Sequence, residues 1–225
     1  MSFEAALRAT EILLALALVQ QSIEHLALHR DERLLFLPRL ALALSLLAGT
    51  GTAWVLIALC LHNVATLVRF QGPYNGGSDR MGTLILFCLC LAHWLPSRWQ
   101  EVALGYLAVQ LVLSYFISGQ VKIANPEWRS GHALQDVFRF SAYPVSKELR
   151  GLSDKPALLL GASWAVMLFE LLFPFGLLDP RLLTVALIIA ALFHLANAYL
   201  FGLNRFVWAW LAAYPSILWF QARIF

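Results

Sequence analysis

The chain has 225 residues, 60% of them hydrophobic and only 13% charged, with a formal net charge of +3. Soluble domains run at about 45–50% apolar and about 25% charged, so a water-soluble enzyme is excluded, and nothing in the chain points to nucleic acid. The apolar residues fall in runs suited to a bilayer core of about 30 Å, which takes about 20 helical residues. The pattern predicts an all-α, polytopic transmembrane helix bundle of about eight spans, occupying 1–225 as a single domain.

The first helix is predicted from about Ala5 to Leu28. Glu4 stands early and no A-x-A-like site follows the apolar run, so it reads as a retained helix and not a signal peptide. A short second helix covers about Leu34 to Ala48. Gly49-Thr-Gly51 breaks the run, and a third helix follows from about Thr52 to Arg69. Residues Gln71 to Asp79 are dense in turn formers. The fourth helix is placed at about Arg80 to Leu95, a turn at Pro96 to Trp99, and the fifth helix at about Gln100 to Lys122.

Ile123 to Lys155 is the longest polar stretch. Within it Gly131 to Phe140 carries Leu134, Val137 and Phe138 on one face, which predicts a short amphipathic helix lying along the interface. The sixth helix is placed at about Pro156 to Phe173, the seventh at Arg181 to Phe201 and the eighth at Asn204 to Gln221. No internal repeat or low-complexity tract occurs.

Under eight spans, twelve Lys and Arg fall on the side of the 123–155 loop and four on the other. The positive-inside rule then puts that loop in the cytoplasm and both termini outside. The expected location is a bacterial inner membrane. Trp94, Trp99, Trp128, Trp208, Trp210 and Trp219 stand near predicted helix ends, as an aromatic belt does. Cys60, Cys88 and Cys90 lie inside apolar runs with no CxxC, and read as small buried hydrophobes.

Lys122 is the first candidate for chemistry. It closes an apolar helix at the membrane margin, where an unpaired cation is costly. It reads either as a base or as a snorkelling helix end. Asn125-Pro126, Trp128, Gly131 and His132 form a compact re-entry after it, more structure than a simple helix end requires. His194 sits mid-span and shares a helical face with Asn197, and Phe201 continues that stripe. Glu170 stands near the end of the sixth helix. An ionisable residue inside a membrane is by default a functional candidate. Glu24 and His25 read as an interhelical lock, and His62 with Asn63 as a weaker polar pair.

His25 and His29 stand at i and i+4, but no third ligand stands at a telling spacing, so no metal or haem site is assigned. The Gly72 to Arg80 loop reads as a tight connection with Ser78 or Asp79 as the N-cap of the next helix. Its other reading is a nest of amides that holds an anion. Tyr74, Asn75 and Asp79 are therefore kept as binding candidates. No P-loop, dinucleotide fingerprint or Ser-His-Asp set occurs.

Three blocks of residues resemble the horizontally transferred transmembrane domain family, which includes the membrane part of vitamin K-dependent gamma-carboxylase. The first is Ser118-Gly-Gln-Val-Lys122 with Trp128 and Gly131, with one residue more between Lys and Trp than in the carboxylase. The second is His194, Asn197 and Phe201, continuing to Phe206 and Pro215. The third is Tyr74-Asn-Gly-Gly-Ser78 with Gly82. The resemblance implies that Lys122 is a base acting on a quinone-like lipid. Gly77 stands where the carboxylase has its catalytic histidine, so glutamate carboxylation is not implied. Small bacterial relatives include maturation factors for secreted peptide toxins, so the resemblance implies a peptide as the alternative to a lipophilic substrate. The carboxylase works on the lumenal side, whereas the charge count puts the Lys122 loop inside, and both dispositions stay open.

Two functions follow. One is a membrane enzyme with Lys122 as base and His194 as a second candidate. The other is a non-catalytic subunit that positions a partner membrane protein. Lys122, His194, Asn197, Glu170 and the Tyr74–Asp79 loop are expected to line one cavity, since polar groups in separate helices are best satisfied together.

Overall fold

A computed structural model describes residues 1–28, 30–69, 76–140 and 146–225. Among these the chain is all-helical, with no strand. The helices are α1 (Phe3–Leu28), α2 (Arg33–Ala48), α3 (Thr52–Arg69), α4 (Gly77–Trp94), α5 (Ser97–Ala124), α6 (Pro126–Arg129), α7 (His132–Phe140), α8 (Lys147–Arg150), α9 (Pro156–Leu172), α10 (Pro180–Phe201) and α11 (Asn204–Ile224). Four segments are long and apolar enough to cross a membrane: Thr52–Arg69, Ser97–Ala124, Pro156–Leu178 and Pro180–Phe201. With 16 residues, α2 is about 24 Å long at 1.5 Å per residue, less than the bilayer core.

Two boundaries correct the sequence reading. Neither Ser78 nor Asp79 caps α4. The N-cap is Gly76, with no side-chain cap, and Asp79 lies in the first turn, where its carboxylate complements the helix dipole. Residues 97–99 are the first turn of α5 and not a connecting turn, because the Pro96 carbonyl accepts from the Trp99 and Gln100 amides at 2.7 and 3.3 Å.

The chain divides into two compact units, Met1–Val109 with Arg205–Phe225, and Gln110–Asn204. The first has a leucine-rich core that includes Leu14, Phe36, Leu46, Leu59, Ile85 and Leu104, all at most 1% exposed. Its α2–α3 connection turns on Gly49, in the left-handed region at φ 75°. Arg8 of α1 reaches the C-terminus of α2 and donates to the carbonyls of Leu46 (3.0 Å) and Leu47 (2.7 Å). These are acceptors a helix cannot satisfy itself, at the end where a cation is favoured. Glu11 holds Arg8 at 2.8 Å and His93 of α4 at 2.6 Å.

The second unit carries the end of α5, then α6 to α10. Asn125 caps α6, its Oδ1 accepting from the Glu127 amide at 2.9 Å, with Pro126 in the first turn. Ser163 and Trp164 of α9 donate to the carbonyls of Trp128 (2.6 Å) and Arg129 (3.1 Å), tying α6 to α9. Gly131 then turns the chain at φ 80°, with room for no side chain: an added Cβ would lie 2.9 Å from Leu160 Cα. On α7, Phe138 is buried with Leu159 and Phe201, and Leu134 packs against them. Val137, placed on the same face from the sequence, is partly exposed.

Candidate functional site

Three residues of α5 form a polar stripe. Tyr115, Ser118 and Lys122 stand at i, i+3 and i+7, one face of a 3.6-residue helix. Lys122 Nζ donates to both carboxylate oxygens of Glu170 at 2.7 Å, and to Ser118 Oγ at 2.6 Å. Ser118 donates in turn to Glu170 Oε1 at 3.2 Å. An ammonium has three donors, and all three are engaged. The Lys122 side chain is 17% exposed and that of Glu170 3%. Lys122 thus turns inward to a carboxylate and does not snorkel outward. Its Nζ also stands 5.3 Å from the Trp128 ring centroid, within cation–π range.

Gly119 makes this geometry possible. A Cβ there would lie 2.8 Å from the Leu171 amide nitrogen and 3.0 Å from Glu170 Cβ. The missing side chain lets α5 and α9 approach closely, as small residues do in membrane helices, and brings Lys122 within reach of Glu170.

Lys122 is also on the wall of a cavity of this unit, of about 820 Å³. Its walls are overwhelmingly apolar, among them Leu134, Phe138, Val166, Phe193 and Leu200. The polar groups on it are Lys122, Asp136 and Asn197, with Trp128 beside them. An apolar cavity of 300–1,000 Å³ with few polar groups has the make-up of a small-molecule site.

The residues singled out in the sequence divide accordingly. Lys122, Asn197 and Trp128 line the cavity, and Glu170 is joined to it through Lys122. His194 is buried and does not line it; its Nε2 meets the Tyr115 hydroxyl at 2.9 Å. His132 is exposed at the surface, 3.6 Å from Glu127, and does not line it either. Asp79 belongs to the other unit, where Oδ1 accepts from Gln21 at 3.2 Å. Tyr74 and Asn75 lie outside the described residues. No group of three His, Cys, Asp or Glu that could hold a metal ion occurs among the described residues. Tyr115 was missed from the sequence, although its spacing from Ser118 and Lys122 places it on the same face.

The apolar spans and the buried ion pair beside an apolar cavity define an integral membrane helical protein. A family profile, the HTTM domain, matches residues 96–222. Since this is more than half of the chain, the protein belongs to the HTTM family. The matched range contains the Lys122 and His194 blocks, while the Tyr74–Gly82 block lies before it. No curated protein and no solved structure matches the chain.

Proposed function

We propose that the protein is a membrane-embedded enzyme that takes a lipophilic, quinone-like substrate into the cavity of the 110–204 unit, where Lys122 acts as base. The observation that carries this reading is the apolar cavity of about 820 Å³ with Lys122 on its wall. An apolar ring and tail suit these walls, and Asn197 offers a hydrogen-bonding partner to a ring oxygen.

Held as an ammonium, Lys122 cannot accept a proton. Glu170 supplies the way out. Transfer of one proton from Nζ to the Glu170 carboxylate, which it touches at 2.7 Å, leaves an amine and a carboxylic acid. The amine then takes the proton of a substrate hydroxyl, giving an oxyanion beside a renewed ammonium. The Trp128 ring, 5.3 Å from Nζ, faces the ammonium so renewed.

A second reading has its own support. Every donor of Lys122 is engaged within the protein, and Gly77 stands in place of the related histidine. Both suit a structural lysine in a non-catalytic accessory subunit that positions a partner membrane protein.

Lys122→Arg separates the two. Guanidinium keeps the charge but cannot act as a base. The enzyme reading expects decylubiquinol still to raise the Tm of this variant, while the oxygen uptake that follows hydroquinone deprotonation, the oxyanion being the form that oxygen attacks, is lost. Uptake undiminished in the Arg variant would rule out Lys122 as base. A ligand that stabilises neither the wild type nor the variant would remove the cavity reading as well.

The eight-span scheme, with α7 along the interface and the Lys122 loop in the cytoplasm, belongs to the same proposal. Cysteines at positions 146 and 50 should label from opposite sides; labelling from one side would overturn the scheme.

A further inference from the structure

The 1–109 and 205–225 unit has a second cavity, far smaller, of about 30 Å³, where α1, α2, α3, α4 and α11 meet. Its polar walls are Gln20, Gln21, Arg39, Asn63, Asp79 and Arg205, with Ser78 and Thr83 beside them. Arg39 enters it from α2 and is 5% exposed. Its Nη1 is buried with no hydrogen-bond partner among the described residues, and its guanidinium carbon stands 5.8 Å from the Phe36 ring centroid. Gln20 also lines this cavity, and its Oε1 is buried and likewise unpartnered. The orientation of that amide is settled by its other end, since Gln20 Nε2 donates to Glu24. A flipped amide would set two acceptors against each other.

Neighbouring groups are engaged elsewhere. Gln21 donates to Asp79 at 3.2 Å, and Asn63 to Thr83 at 2.9 Å. Arg205 donates through Nε to Glu24 at 3.1 Å and through Nη2 to His25 Nε2 at 3.0 Å. Because arginine only donates, His25 Nε2 must accept, and the ring hydrogen sits on Nδ1, facing Glu32 Oε2 at 2.5 Å. Two residues of the cavity wall therefore carry one unmet cationic donor and one unmet neutral acceptor.

Three kinds of occupant are possible, and the walls decide among them. An anion answers Arg39 but meets Gln20 Oε1 and the Asp79 carboxylate. A cation answers those two but meets Arg39 and Arg205. A neutral molecule that accepts and donates answers both unmet groups. The volume of about 30 Å³ is more than the roughly 10–15 Å³ that holding a water requires.

We propose that this cavity is a binding site for one ordered water, accepting from Arg39 Nη1 and donating to Gln20 Oε1. The water joins the buried guanidinium to the chain Gln20, Glu24, Arg205, His25 and Glu32. It makes Arg39 part of the polar lock of α1, α2 and α11, and not an isolated charge.

The test uses the intact protein, crystallised from a lipid mesophase and soaked in bromide. The expected result is a light-atom peak within hydrogen-bonding distance of both Arg39 Nη1 and Gln20 Oε1, with no bromide anomalous signal. A bromide peak there overturns the proposal in favour of an anion site. An empty cavity, or Arg39 turned onto a protein acceptor, overturns it outright. A solution arm uses Arg39→Met, Gln20→Met and the double variant. Sharing one water, the two should lose less Tm together than the sum of the singles. The wild-type Tm should not change when chloride is exchanged for gluconate. Strictly additive losses, or a chloride-dependent Tm that Arg39→Met abolishes, would sink the proposal.

Discussion

Gly119→Ala tests the geometry on which the site rests. The added Cβ would lie 2.8 Å from the Leu171 amide nitrogen, a backbone atom that cannot swing aside. An ordinary contact is about 3.5 Å, so α5 and α9 must part by about 0.7 Å. Taken along the contact between Lys122 and Glu170, that shift stretches 2.7 Å to about 3.4 Å, outside the usual N–H···O range. Overpacking of this kind costs about 1–3 kcal/mol. The better helix propensity of alanine returns at most about 1 kcal/mol. With the full return, a net loss of about 0–2 kcal/mol lowers Tm by up to roughly 8 °C for a chain of this size. Gly161 of α9 is the control, since a Cβ there meets no atom within 4 Å. Gly161→Ala should gain about 0.5–1 kcal/mol from propensity alone. Thermal unfolding of both variants in lipid nanodiscs gives the comparison. If Gly119→Ala melts at or above Gly161→Ala, the close approach of α5 and α9 does not set the Lys122–Glu170 pair.

Gly131→Ala should be more damaging, by about 2–4 kcal/mol. It combines a left-handed φ of 80° with a Cβ 2.9 Å from Leu160 Cα, and decylubiquinol should stabilise the variant less than it does the wild type. Asp179→Ala removes the acceptor for the Arg181 and Leu182 amides at 2.8 and 3.2 Å and should cost about 1 kcal/mol, while Asp179→Asn keeps most of it; unfolding of the two variants side by side checks this. Tyr115→Phe removes the hydroxyl from buried His194, with an expected loss of about 1–3 kcal/mol. Unchanged stability would mean that this bond contributes nothing to packing α5 against α10.

Much of the helical order was readable because membrane helices announce themselves by length and apolarity. The third helix has the predicted bounds, Thr52–Arg69, and the break at Gly49 is where a left-handed turn is required. The start of α4 was not readable: Gly76 caps through its backbone conformation, while Ser78 and Asp79 had the side chains expected of a cap. The composition also left open which helices cross the bilayer, since α2 is short and, among the described residues, four segments are both long and apolar enough to do so.

The sequence alone determined that this is a helical membrane protein and that Lys122 needs a partner, because a cation at the end of an apolar helix cannot stay unpaired cheaply. It also marked the Ser118–Lys122 and His194–Phe201 blocks that the family profile covers. Only the tertiary structure decided which partner Lys122 takes. Glu170 is 48 residues away, and nothing in local spacing selects it over Glu24 or Asp136; the choice depends on Gly119 letting two helices touch. It also decided that His194 turns to Tyr115 and that His132 stays at the surface. Helix periodicity places a residue on a face, but its neighbours are set by how helices distant in the sequence pack.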